Sequence, residues 1–219
     1  MIQFWNYPIS AMKAFKFRSA QQLNFVMDIL VRKRLYCCRS DALNDVREGE
    51  LLRHGRDTGR GTDAFDYGQA VGTEMKSLRV CSLSKTFNNH LLWAHYASGY
   101  SGVAIEVELD ESDVLEVNYS NEFIFLSEFI DSASPEAVAR KALAQKWADW
   151  RHEEEVRIVT KSEFYPLAHP ISRVIVGSRT DAALVSALYV ICERLGISVE
   201  RAILADWGFY TMGVQPLQL

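Results

Sequence analysis

The stretch Leu91–Val107, reading LLWAHYASGYSGVAIEV, constrains the fold more than any other. In its first half Leu91, Leu92, His95 and Tyr96 recur at spacings of three and four, with Trp93 beside them, which reads as a helix. Gly99 and Gly102 then mark a sharp change of direction. Gly102–Val107 is apolar and partly β-branched, with Glu106 as its one charge, so it reads as a buried strand. A helix that turns at glycines straight into a strand brings Trp93, His95 and Tyr96 near the strand's start. Indole, imidazole and phenol each carry an apolar body and a polar handle. The corner therefore reads either as packed aromatic core or as the wall of a pocket.

The chain of 219 residues is long enough to bury a substantial core, and one domain, 1–219, is expected. Its net charge of −4 argues against sequence-independent binding of duplex nucleic acid, so the sequence carries no strong nucleic-acid signal. The run Arg32-Lys33-Arg34 reads as the solvated end of a helix. Cys37, Cys38, Cys81 and Cys192 form no C-x-x-C and imply neither a zinc pattern nor a disulfide framework. Buried thiols in a reducing cytosol, no signal peptide and no membrane-spanning run together lead to the expectation of a cytoplasmic protein without a membrane partner.

In chain order, Ala14–Arg18 is a candidate strand. Ser19 opens S-A-Q-Q, a capping box for a helix over about 20–33. Leu35–Cys38 reads as the next strand. Residues 48–76 hold half of the twelve glycines, interleaved with Arg53, Arg56 and Arg60, and read as a mobile loop. Strands are expected at Leu78–Ser84, Val114–Val117, Phe123–Ile130 and Glu154–Thr160. Ser134-Pro135-Glu136 starts a helix that runs to about Trp150. The clearest supersecondary signal is C-terminal: strand Ser172–Val176, a cap at Thr180-Asp181, helix Ala182–Leu195 stopped by Gly196, and strand Arg201–Leu204. That is a β-α-β unit. The fold class is α+β, a mostly antiparallel sheet with helices packed on it and this one parallel pair.

The segment Trp150-Arg-His-Glu153-Glu154-Glu155-Val156-Arg157 carries the first chemical constellation. On a strand, Glu153, Glu155 and Arg157 share one face, with the two carboxylates about 7 Å apart. Such a pair suits a bound molecule whose hydroxyl one acid holds while the other meets developing positive charge. The plainer reading is a face on which Arg157 neutralises its neighbours. Gly177-Ser-Arg-Thr180-Asp181, between strand and helix, reads either as a phosphate-receiving turn, hence a regulatory nucleotide site, or as a plain capped turn. The five histidines, His54, His90, His95, His152 and His169, give no H-x-H or H-x-x-x-H, and no metal is expected.

W-A-H-Y-A-x-G-Y-x-G-V-A-I-E resembles the signature of a bacterial family known only as domain of unknown function 2971. Phe15-Lys16-Phe17, Leu43-Asn44-Asp45, Cys81-Ser82-Leu83-Ser84, Val117-x-Tyr119, Trp150-x-x-Glu153-x-Glu155-x-Arg157 and Val174–Gly177 agree in order. Where the family often has N-D-P-F-E, this chain has Asn44-Asp45-Val46-Arg47-Glu48. A second, weaker resemblance is to ADP-ribosyltransferases of the arginine–serine–glutamate type. Glu153-x-Glu155 follows Ser82-x-Ser84, which follows Lys16 and Arg18, though no threonine lies between the serines.

That second resemblance implies roles. Glu155 would hold the ribose 2′-hydroxyl of NAD and stabilise an oxocarbenium-like centre, and Glu153 would position the acceptor. Ser82 or Ser84 would order the site, Arg18 would contact the pyrophosphate, and Trp93 and Tyr96, with His95 beside them, would face the nicotinamide. Two function classes follow. One is an NAD-consuming effector, a toxin or phage-defence ADP-ribosyltransferase with a macromolecular acceptor. The other is a non-catalytic module that binds a protein partner or a nucleotide.

Overall fold

The structure is a computed structural model that describes residues 10–43, 52–53, 61–206 and 208–214. β1 (Ala11–Arg18) leads through a 3₁₀ turn, Ala20–Gln22, into α1 (Leu23–Arg32). The capping box expected at Ser19 does not form. The Gln22 N–H donates to the Ser19 backbone carbonyl at 3.0 Å, and the Ser19 side chain makes no cap bond. The tighter first turn also delays the α-helix to Leu23. The single strand expected at Leu35–Cys38 is two, β2 (Arg34–Tyr36) and β3 (Cys38–Arg39). They divide at Cys37, whose N–H donates to Glu163 O.

After β4 (Leu52–Arg53) comes α2 (Gly61–Ser77). This corrects the expectation of a loop over 48–76. Tyr67, Val71, Met75 and Leu78 form a stripe at helical spacing, and all four belong to one core cluster. That stripe outweighs the weak helix propensity of Gly68 and Gly72. Residues 48–51 and 54–60 of the expected loop lie outside the described residues.

β5 (Arg79–Ser84) is followed by α3 (His90–Tyr96), capped by Asn89, whose side chain accepts from Leu91 N at 2.8 Å. β6 (Val103–Asp110), β7 (Val114–Glu116), β8 (Asn118–Tyr119) and β9 (Ile124–Phe125) follow. The long strand expected at Phe123–Ile130 is only β9, succeeded by a 3₁₀ turn at Leu126–Glu128. Leu126 and Phe129 reach the core three residues apart, and a short apolar run does not by itself separate strand from helix.

α4 (Pro135–Leu143) has the expected cap, Ser134 Oγ accepting from Ala137 N at 3.2 Å. It ends seven residues before Trp150, because Ala144 N closes onto Arg140 and Lys141 carbonyls and β10 (Gln145–Lys146) then pairs with β8. A 3₁₀ segment, Ala148–Glu153, leads into β11 (Glu155–Thr160). β12 (Phe164–Pro166) and β13 (Arg173–Val176) precede α5 (Ala182–Leu195), with β14 (Ser198–Ala205) and β15 (Gly208–Gly213) last. Asp181 Oδ1 accepts from Ala183 N and Leu184 N at the start of α5, and Gly196 at φ 71 ends it.

The chain forms two compact units. The first comprises residues 1–35, 83–114 and 166–219. Its strands run in the order β15-β14-β13-β6-β1, with Ser84 of β5 opposite Phe15. β13 and β14 are parallel and joined by α5, which is the expected β-α-β unit, and β1–β6, β6–β13 and β14–β15 are antiparallel. Its core gathers Phe15, Phe17, Leu92, Trp93, Ile175 and Phe209. The second unit comprises residues 36–82 and 115–165. There β3 pairs with β5, and β5, β11 and β7 are neighbours. The two-residue pairs β8–β10 and β4–β9 are parallel as well, beyond the single parallel pair expected. Its core gathers Val71, Leu78, Val80, Val138, Leu143 and Val159. The fold class is α+β with a mostly antiparallel sheet.

Candidate functional site

The second unit contains the E-x-E pair, arranged otherwise than strand alternation predicts. Glu153 closes the 3₁₀ segment, Glu154 takes a left-handed φ of 44°, and only Glu155 opens β11. The left-handed residue turns the chain so that both flanking carboxylates reach one cation. Lys146 Nζ donates to Glu153 Oε2 at 2.5 Å and to Glu155 Oε2 at 3.0 Å. Two residues along β11, on the same face, Arg157 grips Glu155 from Nε to Oε1 at 2.7 Å and from Nη2 to Oε2 at 3.0 Å. Its Nη1 donates to Leu143 O at 2.5 Å. All four side chains are buried: Lys146 is 3% exposed, Glu153 and Glu155 4%, and Arg157 1%.

The groups around this cluster complete it. Lys146 Nζ lies 4.9 Å from the Trp150 ring centroid. Tyr119 Oη accepts from Glu155 N at 2.7 Å, and burial, with the two nearby carboxylates, pushes its hydroxyl up to about 12. Burial alone would raise the Glu155 pKa. The charge and hydrogen bonds of Arg157, the Lys146 charge and a hydrogen bond from Ser82 outweigh it and hold the group at about 2. Glu155 is therefore ionised throughout the neutral range. The set of two cations and two anions sums to zero charge, and cations already hold both oxygens of Glu155. Such an arrangement offers little field to a developing positive centre.

The remaining predicted residues belong to the first unit. Ser84 is buried, with its Oγ donating to Thr86 O at 2.9 Å and accepting from Thr86 N at 3.1 Å. The Arg18 guanidinium lies 5.2 Å over the Phe25 ring. Trp93 is wholly buried, its Nε1 donating to Phe87 O at 2.8 Å and its ring edge-on to Phe17 at 5.2 Å. It presents no face to a nicotinamide and belongs to the packed aromatic core. Tyr96 is half-buried and His95 exposed, with ring centroids 6.4 Å apart. Glu153, Glu155 and Ser82 thus share one unit, while Arg18, Ser84, Trp93, His95 and Tyr96 share the other.

Sequence reasoning missed Lys146 and Tyr119, since nothing in their local spacing links them to Glu155. It singled out the turn that holds Arg179 but missed Tyr100 and His90, which stand with Arg179 in the first unit. Ser98, Gly99 and Tyr100 have successive φ values of 48°, 61° and 74°. Tyr100 Oη lies 3.4 Å from both His90 Nδ1 and His90 O, and Arg179 stands over the Tyr100 ring at 5.6 Å. Three amides of the Gly177–Thr180 turn are already bonded. Gly177 N donates to Gly102 O, Arg179 N to Tyr100 O, and Thr180 N to Gly177 O.

Glu106 of β6 is buried between Lys13 at 3.0 Å, Ser172 at 2.8 Å and Arg173 at 2.7 Å. Burial would raise its pKa, but those three partners hold it below the usual carboxylate range. Among the described residues, no group of three or more His, Cys, Asp and Glu is arranged to hold a metal ion, and no helix is long and apolar enough to cross a membrane. No family model matches the chain, and neither a curated protein nor a solved structure matches it.

Proposed function

We propose that this protein acts by binding rather than by catalysis, the second of the two function classes, and that its E-x-E pair is internal support. One observation carries the reading: Glu155 is 4% exposed, with Arg157 and Lys146 on its carboxylate oxygens. The likeness to the domain of unknown function 2971 family is part of the same proposal. Gly99 and Tyr100 of that signature both take left-handed φ, 61° and 74°.

An NAD-consuming reading keeps one observation in its favour. Ser82, of the S-x-S motif, hydrogen-bonds Glu155, of the E-x-E motif. The two readings part on Glu155→Gln. If Glu155 is support, the substitution leaves a buried cation in excess and costs about 3–5 kcal/mol in chemical unfolding. The native protein then releases no nicotinamide from NAD in the presence of cell lysate. Nicotinamide release that Glu155→Gln abolishes, with the unfolding midpoint unchanged, would overturn the proposal.

A further inference from the structure

We propose that Tyr100, His90 and Arg179 form a binding surface for a phosphate monoester, which resting on the binding-module reading names its ligand class. The fold requires a left-handed residue at position 100. The Tyr100 carbonyl accepts from Arg179 N at 3.0 Å and occupies the space a Cβ on Gly177 would need. Gly177 N and Thr180 Oγ1 both donate to Gly102 O, at 2.9 Å each, so the two loops are locked together.

Every one of these bonds at position 100 uses the backbone, and glycine would satisfy them. A tyrosine at φ 74° is strained where glycine would not be. Part of its ring packs on the aromatic core, yet the side chain stays half-exposed with its hydroxyl beside His90. Strain retained at a half-exposed polar side chain points to a use for the phenol.

The neighbours define that use. His90 and Arg179 are exposed, and Arg201 Nη1 braces the same turn through Gly177 O at 3.1 Å and Ser178 O at 3.4 Å. A hydroxyl that donates to His90 O at 3.4 Å, an imidazole and a guanidinium therefore stand together, and the guanidinium brings the positive charge. A phosphate monoester has three terminal oxygens to accept from them, and the planar guanidinium fork matches two of those oxygens. The nearest acid in sequence, Asp181, has Oδ1 engaged by the Ala183 and Leu184 amides. The phosphate is thus held by side chains, the Gly177, Arg179 and Thr180 amides being already bonded.

The test is calorimetric titration of the full chain with inorganic phosphate and with adenosine 5′-monophosphate. Tyr100→Phe removes only the hydroxyl and Arg179→Ala alters an exposed side chain, so melting midpoints near the native one are expected for both. Each should weaken binding about tenfold, the scale of one hydrogen bond to a charged group. Tighter binding of the nucleotide than of phosphate supports a nucleotide as the source, and equal binding supports phosphate itself. No heat from either probe at millimolar concentration, or affinities unchanged in both variants, overturns the site. Nicotinamide release by the native protein would instead sink the binding-module reading and leave these titrations as measured.

Discussion

Lys146 balances two carboxylates at once, and its loss should be felt more than that of any surface lysine. Lys146→Met leaves Glu153 and Glu155 facing Arg157 alone, a buried net charge of −1. A loss of about 3–5 kcal/mol in urea unfolding is expected. Adding Glu153→Gln should recover part of it, because the two sites share one network. A second residue-scale prediction concerns His169, whose Nε2 lies 2.7 Å from Asp110 Oδ1. The hydrogen bond to Asp110, with its charge, raises the His169 pKa against a smaller opposing effect of burial. A raised folded value means that the stabilisation is full below the ordinary histidine pKa and vanishes as pH rises through the folded one. NMR titration should find His169 above about 6.5, and Asp110→Asn should lower it.

At the scale of elements, α2 and α4 pack together and share one core in the second unit. Lys161 ties them at the surface through Glu74 and Glu136, each at 3.4 Å. Within α2, Gly72 has open space where a Cβ would stand. Gly72→Ala should therefore raise stability by about 0.5–1 kcal/mol, through helix propensity and a less mobile unfolded chain. A thermal melt showing the variant less stable than the native protein would contradict the helix at that position.

The whole molecule is built of two units that no single continuous segment supplies. The second unit takes Val71, Leu78 and Val80 from 36–82, but Leu126, Val138 and Leu143 from 115–165. A fragment of residues 115–165 alone lacks Val71, Leu78 and Val80 of that core, so its circular dichroism should show no cooperative melt. A sharp transition from the isolated fragment would refute the assignment.

Local pattern was enough for several elements. The helix at 91–96, the glycine turn, the strand after it and the C-terminal β-α-β unit were legible, because each is fixed by periodicity, caps and turn residues close in sequence. The helix Gly61–Ser77 was not, since its glycines outvoted an apolar stripe whose weight comes from the core it joins. The strand boundary at Cys37 failed because its deciding bond comes from Glu163, far along the chain, and the one at Phe125 because a short apolar run serves a strand or a 3₁₀ turn equally well. Glu153, Glu155 and Arg157 were recognised as a group, yet their role was not, because Lys146, Tyr119 and Ser82 reach them only through the fold. By itself, then, the sequence determined fold class and the principal elements, through hydrophobic period and turn chemistry. Only the tertiary structure decided that the paired acids are buried and neutralised and that Trp93 lies in the core, because burial and charge pairing depend on which distant residues the chain brings together.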